Sequence, residues 1–544
     1  MSWLSNSGRR WGRSILYLAL FCTFLLFVLV GVAPQQGITS SGSGDGRITI
    51  ATTLKPRTLD PADAYEASSL NLVYNMSDRL YTYPPGSTEV APQLAMELPK
   101  ISADGLTYTI PLRQGVVFHD GTPFNAEAMV FSLRRFIENK GKPAFLLGDI
   151  VESVKATGEY ELTIKLKKPF AAFPSMLAFT GVCAVSPKAY KLGEGKFETD
   201  IFVGTGPYKL AKYGTDKFVF DVFDKYWGKK AENNGITLQV LSSGVNLFNA
   251  FRKKSVDIAY LSMDPDQIRS LEARAKKGDW KAIPNNGSVV NYIVLNVKQK
   301  PLDILEVRQA IAAMINRDVL SERVLYGQSE PVYSLVPTTF NVHKPVFKEK
   351  YGEANIEKAK ELLKKAGFTK EKPAQVEIWY PSSSAPRSLM ARVLKALARK
   401  TMDGLLEFQI NAVESTTFFK NTEQGIYPTV LSLWYPDFLD ADNYIQPFLS
   451  CAKFSKEKGC DDGGSRSQGS FYYNDRMNKL IDKQRQEQNP EARKQLFVEI
   501  QEQLANDVPY VPLWQSKDYV FAQNGVEGVQ VDAAQNLMYM TIKK

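Results

Sequence analysis

The stretch LRQGVVFHDGTPFNAEAMVFSLRRF, Leu112 to Phe136, decides how the chain is read, together with VGTGPYKL from Val203 to Leu210. Asp120-Gly121-Thr122-Pro123 is a turn, because glycine accepts a positive φ and proline fixes its own. Asn125 then stands where a helix cap belongs, and Met129, Val130, Leu133 and Phe136 recur at helical spacing as its apolar face. The Gly-Thr-Gly of the second stretch is not followed by Gly-Lys-Ser/Thr, and Tyr208-Lys209-Leu210 continues as a strand, so a phosphate loop is rejected. His119 lies inside the turn, where a structural hydrogen bond explains it better than catalysis. Nothing in either stretch is a nucleophile or a metal motif.

Working outward, 544 residues exceed one ordinary core and call for several domains. With 44% hydrophobic and 23% charged residues the composition is globular. The net charge of +9 is spread among acids rather than gathered in a stripe, which argues against nucleic-acid binding. RITIATT at Arg47, TYTIPL, ELTIKL, KFVFDVF, ITLQVL and NYIVLNV at Asn291 alternate as strands between helical stretches, so the chain is mixed α/β. Asn355 is expected to cap a helix stopped at Gly367, Asn489-Pro490 to start another, and Asp303 with Glu306 to form a capping box.

At the N-terminus Arg9, Arg10 and Arg13 precede an uncharged apolar segment, residues 15–33, and a Gly/Ser-rich linker at 37–46. Residues 1–36 therefore read as an export signal or a membrane anchor, placing the rest in the periplasm or on the outer face of the cytoplasmic membrane. Phe21 before Cys22 is too large for a lipoprotein site. Of the other three cysteines, Cys451 and Cys460 bound the loop CAKFSKEKGC, and an oxidising compartment favours a disulfide between them. A zinc site lacks a second Cys pair or a nearby histidine. Cys183, in FTGVCAV, reads as a small buried hydrophobe.

The two opening stretches, in this order and spacing, resemble the extracytoplasmic solute-binding proteins of the peptide, dipeptide and nickel type that feed ABC importers. Tyr226-Trp227, SVDIAYLSM at Ser255, VRQAIAAMINRDVL at Val307 and Ala366-Gly367 extend the resemblance from about Arg47 to the C-terminus. It implies a two-lobed periplasmic-binding-protein fold with an additional third domain and a hinge-closing cleft. By that analogy lobe I is residues 47–75, 202–290 and 506–544, domain II is 76–201, and lobe III is 291–505. The implied function is a monomeric, non-enzymatic, cofactor-free binding component that passes oligopeptides or related small solutes to a permease driven by separate ATPase subunits.

The resemblance also nominates site residues. In peptide-binding members a Trp is followed three positions later by an Asp that holds the ligand's α-ammonium; LSLWYPDFLDADNY supplies Trp434 and Asp437, with Asp440 following as in dipeptide binders. A carboxylate is what that task needs, since enclosing an unpaired ammonium costs several kcal/mol. Trp434 and Tyr435 can provide flat apolar walls, and the loop Tyr65-Glu66 and the strand end at Asn291 are expected to meet the peptide main chain. Dipeptide binders carry an Arg-Pro for the ligand carboxylate. This chain has Ala385-Pro386 with Arg387 one place beyond, so Arg387 is either a substitute or a surface residue on the loop before a helix at Leu389. A nickel-type ligand would need its own chelator, because the chain has two histidines. The rival readings are an anchored peptide receptor or chaperone without import, and a cleft hydrolase using Asp437 and Asp440.

Overall fold

A computed structural model describes residues 46–261 and 263–544. The apolar segment 15–33, most of the linker and Cys22 lie outside the described residues; within them, no helix is long and apolar enough to cross a membrane.

An eleven-stranded mixed sheet organises both halves. In the first half, Ile48–Thr52 lies parallel to Ile236–Val240 on one side and to Ile258–Tyr260 on the other. In the second half, Ala374–Pro381 lies parallel to Leu406–Val413 and to Thr429–Trp434. Two long antiparallel strands, Lys281–Leu295 and Tyr510–Ala522, join the halves and pair with each other. Their register is interrupted between Asn286 and Val290. On one side of that interruption Val290 to Leu295 and Tyr510 to Trp514 belong to the larger core; on the other, Val520 and Ala522 belong to the core of the first half. The chain thus crosses twice, at adjacent points, and a ladder gap there lets the two strands bend together.

A four-stranded antiparallel sheet, Lys100–Ile101, Thr107–Pro111, Glu161–Leu166 and Val151–Gly158, builds the unit inserted in the first half. The helix Ala126–Glu138 packs beside it. Asn125 Oδ1 accepts the Ala128 N–H at 3.0 Å, and Met129, Leu133 and Phe136 are buried while Val130 is half-buried. The turn before it forms as read: Asp120 Oδ1 accepts from Thr122 N at 2.9 Å and Gly121 has φ 83°.

His119 explains why the two signature stretches travel together. Its Nδ1 accepts from Gly204 N at 3.3 Å, so its Nε2 carries the proton donated to Gly206 O at 3.0 Å. Burial pushes the imidazole down to about 4, which keeps this tautomer neutral. Gly206 must be glycine because a Cβ would lie 2.3 Å from the Met76 carbonyl carbon and the Ser77 nitrogen. Tyr226 and Trp227 donate to opposite oxygens of the buried Asp78, at 3.2 and 2.9 Å.

Asn355 and Asn489 cap their helices, at 3.2 and 3.0 Å from Lys358 N and Ala492 N. The capping box at Asp303 and Glu306 does not form. That helix runs Leu305–Met314 with Ile304 at its N-cap, so Glu306 falls in the first turn, takes its own backbone N–H and pairs with Lys365 at 3.2 Å. Cys451 and Cys460 are bonded, with Cα atoms 5.6 Å apart, and Cys183 is free and buried. No group of three or more His, Cys, Asp or Glu residues able to hold a metal occurs among the described residues.

Candidate functional site

Between the halves lies a cavity of about 970 Å³. Tyr65 and Glu66 reach it from the first half, and Trp434, Tyr435 and Asp437 from the second. These five site candidates, drawn from segments nearly four hundred residues apart, come together.

Local structure sets each one. Trp434 ends the strand Thr429–Trp434, and Pro436 turns the chain out of the sheet so that Asp437 faces the cavity. Asn443, six residues on, fixes both: its Oδ1 accepts from Trp434 Nε1 and from Asp437 N, each at 3.0 Å. The Trp434 ring packs edge-on against Phe448 at 5.2 Å, while Tyr435 keeps 60% of its surface exposed. Tyr65, just before the helix Ala67–Met76, is wedged edge-on against Phe145 and Phe179 and donates its hydroxyl proton to Asp437 Oδ1. The other Asp437 oxygen accepts from Asn443 Nδ2 at 3.4 Å. Burial pushes the Asp437 carboxyl up, and the Tyr65 and Asn443 hydrogen bonds only partly offset it. No cationic side chain forms an ion pair with Asp437 among the described residues.

Glu66 is already engaged within its own half. It accepts from Ser69 Oγ at 2.5 Å and Tyr65 N at 3.2 Å and pairs with Arg57 Nε at 3.7 Å. Asn291 lies in the sheet interior rather than on the cavity wall. Its main chain is flanked by Leu433 and Trp514 in the neighbouring strands, and its amide donates to Ser516 Oγ at 3.1 Å, which leaves no free strand edge for an extended ligand. Arg387 is not on a loop: the helix starts at Ala385, with Ser384 as cap and Pro386 in its first turn. It does not line the cavity. It is half-buried near Tyr292 and Tyr435, and its Nε has no hydrogen-bond partner among the described residues.

The carboxylate pair that a cleft hydrolase would need is not assembled. Asp440 is held by Arg493 through two bonds of 2.7 Å, and neither residue lines the cavity. Two contributors escaped the sequence reading. Asn443 is one; an asparagine in a polar loop carries little signal. The other is Asp518, on the strand Tyr510–Ala522, whose Oδ2 accepts from Gln535 Nε2 and which lines the cavity near the crossing. The sequence signal was an acid inside an apolar strand, SKDYVFA.

Residues 89–456 match the family described as Bacterial extracellular solute-binding proteins, family 5 Middle. The chain is 29% identical over 444 residues to the dipeptide-binding protein of Escherichia coli, covering 76% of this chain and 78% of that one. It is 27% identical over 507 residues to di/tripeptide-binding protein 2 of Pseudomonas aeruginosa, covering 86% and 89%. The structure of HbpA2 from Haemophilus parasuis superposes with a TM-score of 0.78 at 22% identity, covering 91% of this chain and 99% of that one, so the two share a fold. With a matched region that covers most of the inserted unit, the first of the two crossing strands and the cavity wall at Asp437, the chain belongs to the bacterial extracellular solute-binding proteins of family 5.

Proposed function

We propose that this solute-binding protein captures peptides with a free amino terminus, seats the α-ammonium on Asp437, and delivers them to the permease of an ABC importer. The observation that carries the reading is a desolvated carboxylate on the wall of a large interlobe cavity with two hydrogen-bond donors and, among the described residues, no ion-paired cation. An arriving ammonium restores the charge balance that burial disturbs, whereas an acylated amine cannot. The names of the Escherichia coli and Pseudomonas aeruginosa relatives point to the same class of ligand. Arg387 stands off the lining, and among the described residues no Lys or Arg lines the cavity to hold a carboxylate at a fixed distance from Asp437, which favours ligands longer than two residues.

In this reading the lobes follow the division inferred from the sequence, with both crossings at the ladder gap, and Tyr65 meeting Asp437 is a contact of the closed form. The protein works as a monomer outside the cytoplasmic membrane, released by cleavage or held by residues 15–33, and has no catalytic role.

Titration calorimetry of the full chain with Ala-Ala-Ala and its N-acetyl form tests the reading. Asp437→Asn is expected to weaken Ala-Ala-Ala binding by roughly 2 to 5 kcal/mol and to leave the already weak acetylated peptide unchanged. Equal affinity for the two peptides in the unsubstituted protein would remove Asp437 from the ammonium site.

A further inference from the structure

The charge on the cavity wall is one-sided. Among the described residues its lining contains the acids Glu66, Asp437 and Asp518 and no Lys, Arg or His. Glu66 is answered by Arg57, and Asp437 is assigned above to the ligand's amino terminus. Asp518 remains.

Its position is built rather than incidental. The strand Tyr510–Ala522 sets Asp518 opposite Asn285, one residue from the point where the two crossing strands lose register. Gly287 makes room for it: a Cβ there would lie 2.7 Å from Asp518 Oδ2 and 2.6 Å from Gln535 Nε2. Gln535 Nε2 donates to that same oxygen, and no ion pair to Asp518 exists among the described residues. Burial pushes the carboxyl up to about 7, so near neutrality the site holds a carboxylate only weakly unless a cation arrives. Burial raises the phenols of Tyr435 and Tyr260, and the charge of Asp518 raises both further. The exposed Tyr435 ring adds an aromatic face, which suits an ammonium or guanidinium carried on an apolar stem.

We propose that Asp518 is a second cation seat, distinct from Asp437, which pairs with a lysine or arginine side chain of the bound peptide and makes the cleft selective for basic peptides. The proposal rests on the peptide reading above and adds a side-chain preference to it. Burial disfavours the charged form of both carboxylates, and a ligand with two positive charges relieves both.

The test is calorimetry of the full chain with Ala-Lys-Ala, Ala-Ala-Lys and Ala-Ala-Ala-Lys, each against the same peptide with norleucine for lysine. At least one lysine peptide is expected to bind tenfold or more tightly than its norleucine partner. Asp518→Asn should reduce that ratio to below twofold while the norleucine peptides keep their affinity within twofold. Asp518→Ser is the second variant, should the asparagine perturb the crossing, and is expected to give the same collapse of the ratio. Norleucine peptides that bind as well as lysine peptides would overturn this proposal and leave the peptide reading standing, as would a lysine preference that survives both substitutions. Failure of every peptide to bind would overturn both.

Discussion

Removing the carboxylate of Asp60 should unfasten the inserted unit from the first lobe. Asp60 and Arg135 are 0% and 1% exposed and joined by two bonds, Oδ1 to Nη1 at 2.7 Å and Oδ2 to Nη2 at 2.6 Å. Asp60 also accepts from Ala62 N at 3.0 Å and Glu198 N at 2.6 Å, while Arg135 donates to the carbonyls of Lys191 and Lys196 at 3.1 and 3.0 Å. In Asp60→Ala the guanidinium keeps its carbonyls but loses its counter-charge in a site closed to water. Breaking a buried pair in this way costs about 3 to 5 kcal/mol. The neighbouring arginine is the internal control: Arg134 pairs with Glu138 at 2.7 Å on the exposed face of the same helix, and Arg134→Ala should cost only about 0.3 to 0.5 kcal/mol. Replacing both buried partners, Asp60→Leu with Arg135→Met, should destabilise less than Asp60→Ala alone, since no charge is left stranded. Urea unfolding followed by far-ultraviolet circular dichroism measures all three. If Asp60→Ala and Arg134→Ala shift the midpoint equally, the argument from burial fails.

Two further outcomes are expected. Asp518 has a folded-state value of about 7 against 3.8, so the folded form holds its proton more tightly, and stability present in acid is lost as pH rises from 3.8 through about 7. Asp518→Asn does not titrate; in the ligand-free protein its stability relative to the native chain should therefore rise by about 2 to 3 kcal/mol between pH 5 and pH 8, and a flat difference in urea midpoints would contradict the assigned burial. Loss of the Cys451–Cys460 bond, in the double serine variant, should cost about 2 to 3 kcal/mol on the chain-entropy model, read as a lowered melting temperature that added reductant reproduces in the native chain but not in the variant.

Much of the fold was legible because it depends on short-range patterns. Strand alternation in RITIATT and ELTIKL, the Asp120 turn, and the asparagine caps at Asn125, Asn355 and Asn489 each use neighbours within a few residues. The same reasoning overreached at Asp303, where the right residue types stood at the right spacing but Glu306 found a partner on another helix. Asp437 was readable only through resemblance, since WYPDFLDADNY holds three acids with different fates: one at the cavity, one tied to Arg493 and one buried against Gln484. Pairs such as Tyr65 with Asp437, 372 residues apart, or Asp60 with Arg135, 75 apart, are set by topology, which no local window contains. Asn291 misled for a related reason: a strand end in sequence became an interior position once both neighbours were in place.

The paired crossings at Asn286 to Val290 have a mechanical consequence. A fulcrum made of two strands bonded to each other resists twist and sideways slip and yields mainly in one direction, which would confine movement of the lobes to a single axis. Asp518, opposite Asn285, stands beside that fulcrum. A small shift next to the axis is multiplied at the outer rim of the lobes. A cation seated at Asp518, as proposed, would therefore have leverage over the lobe angle out of proportion to its size.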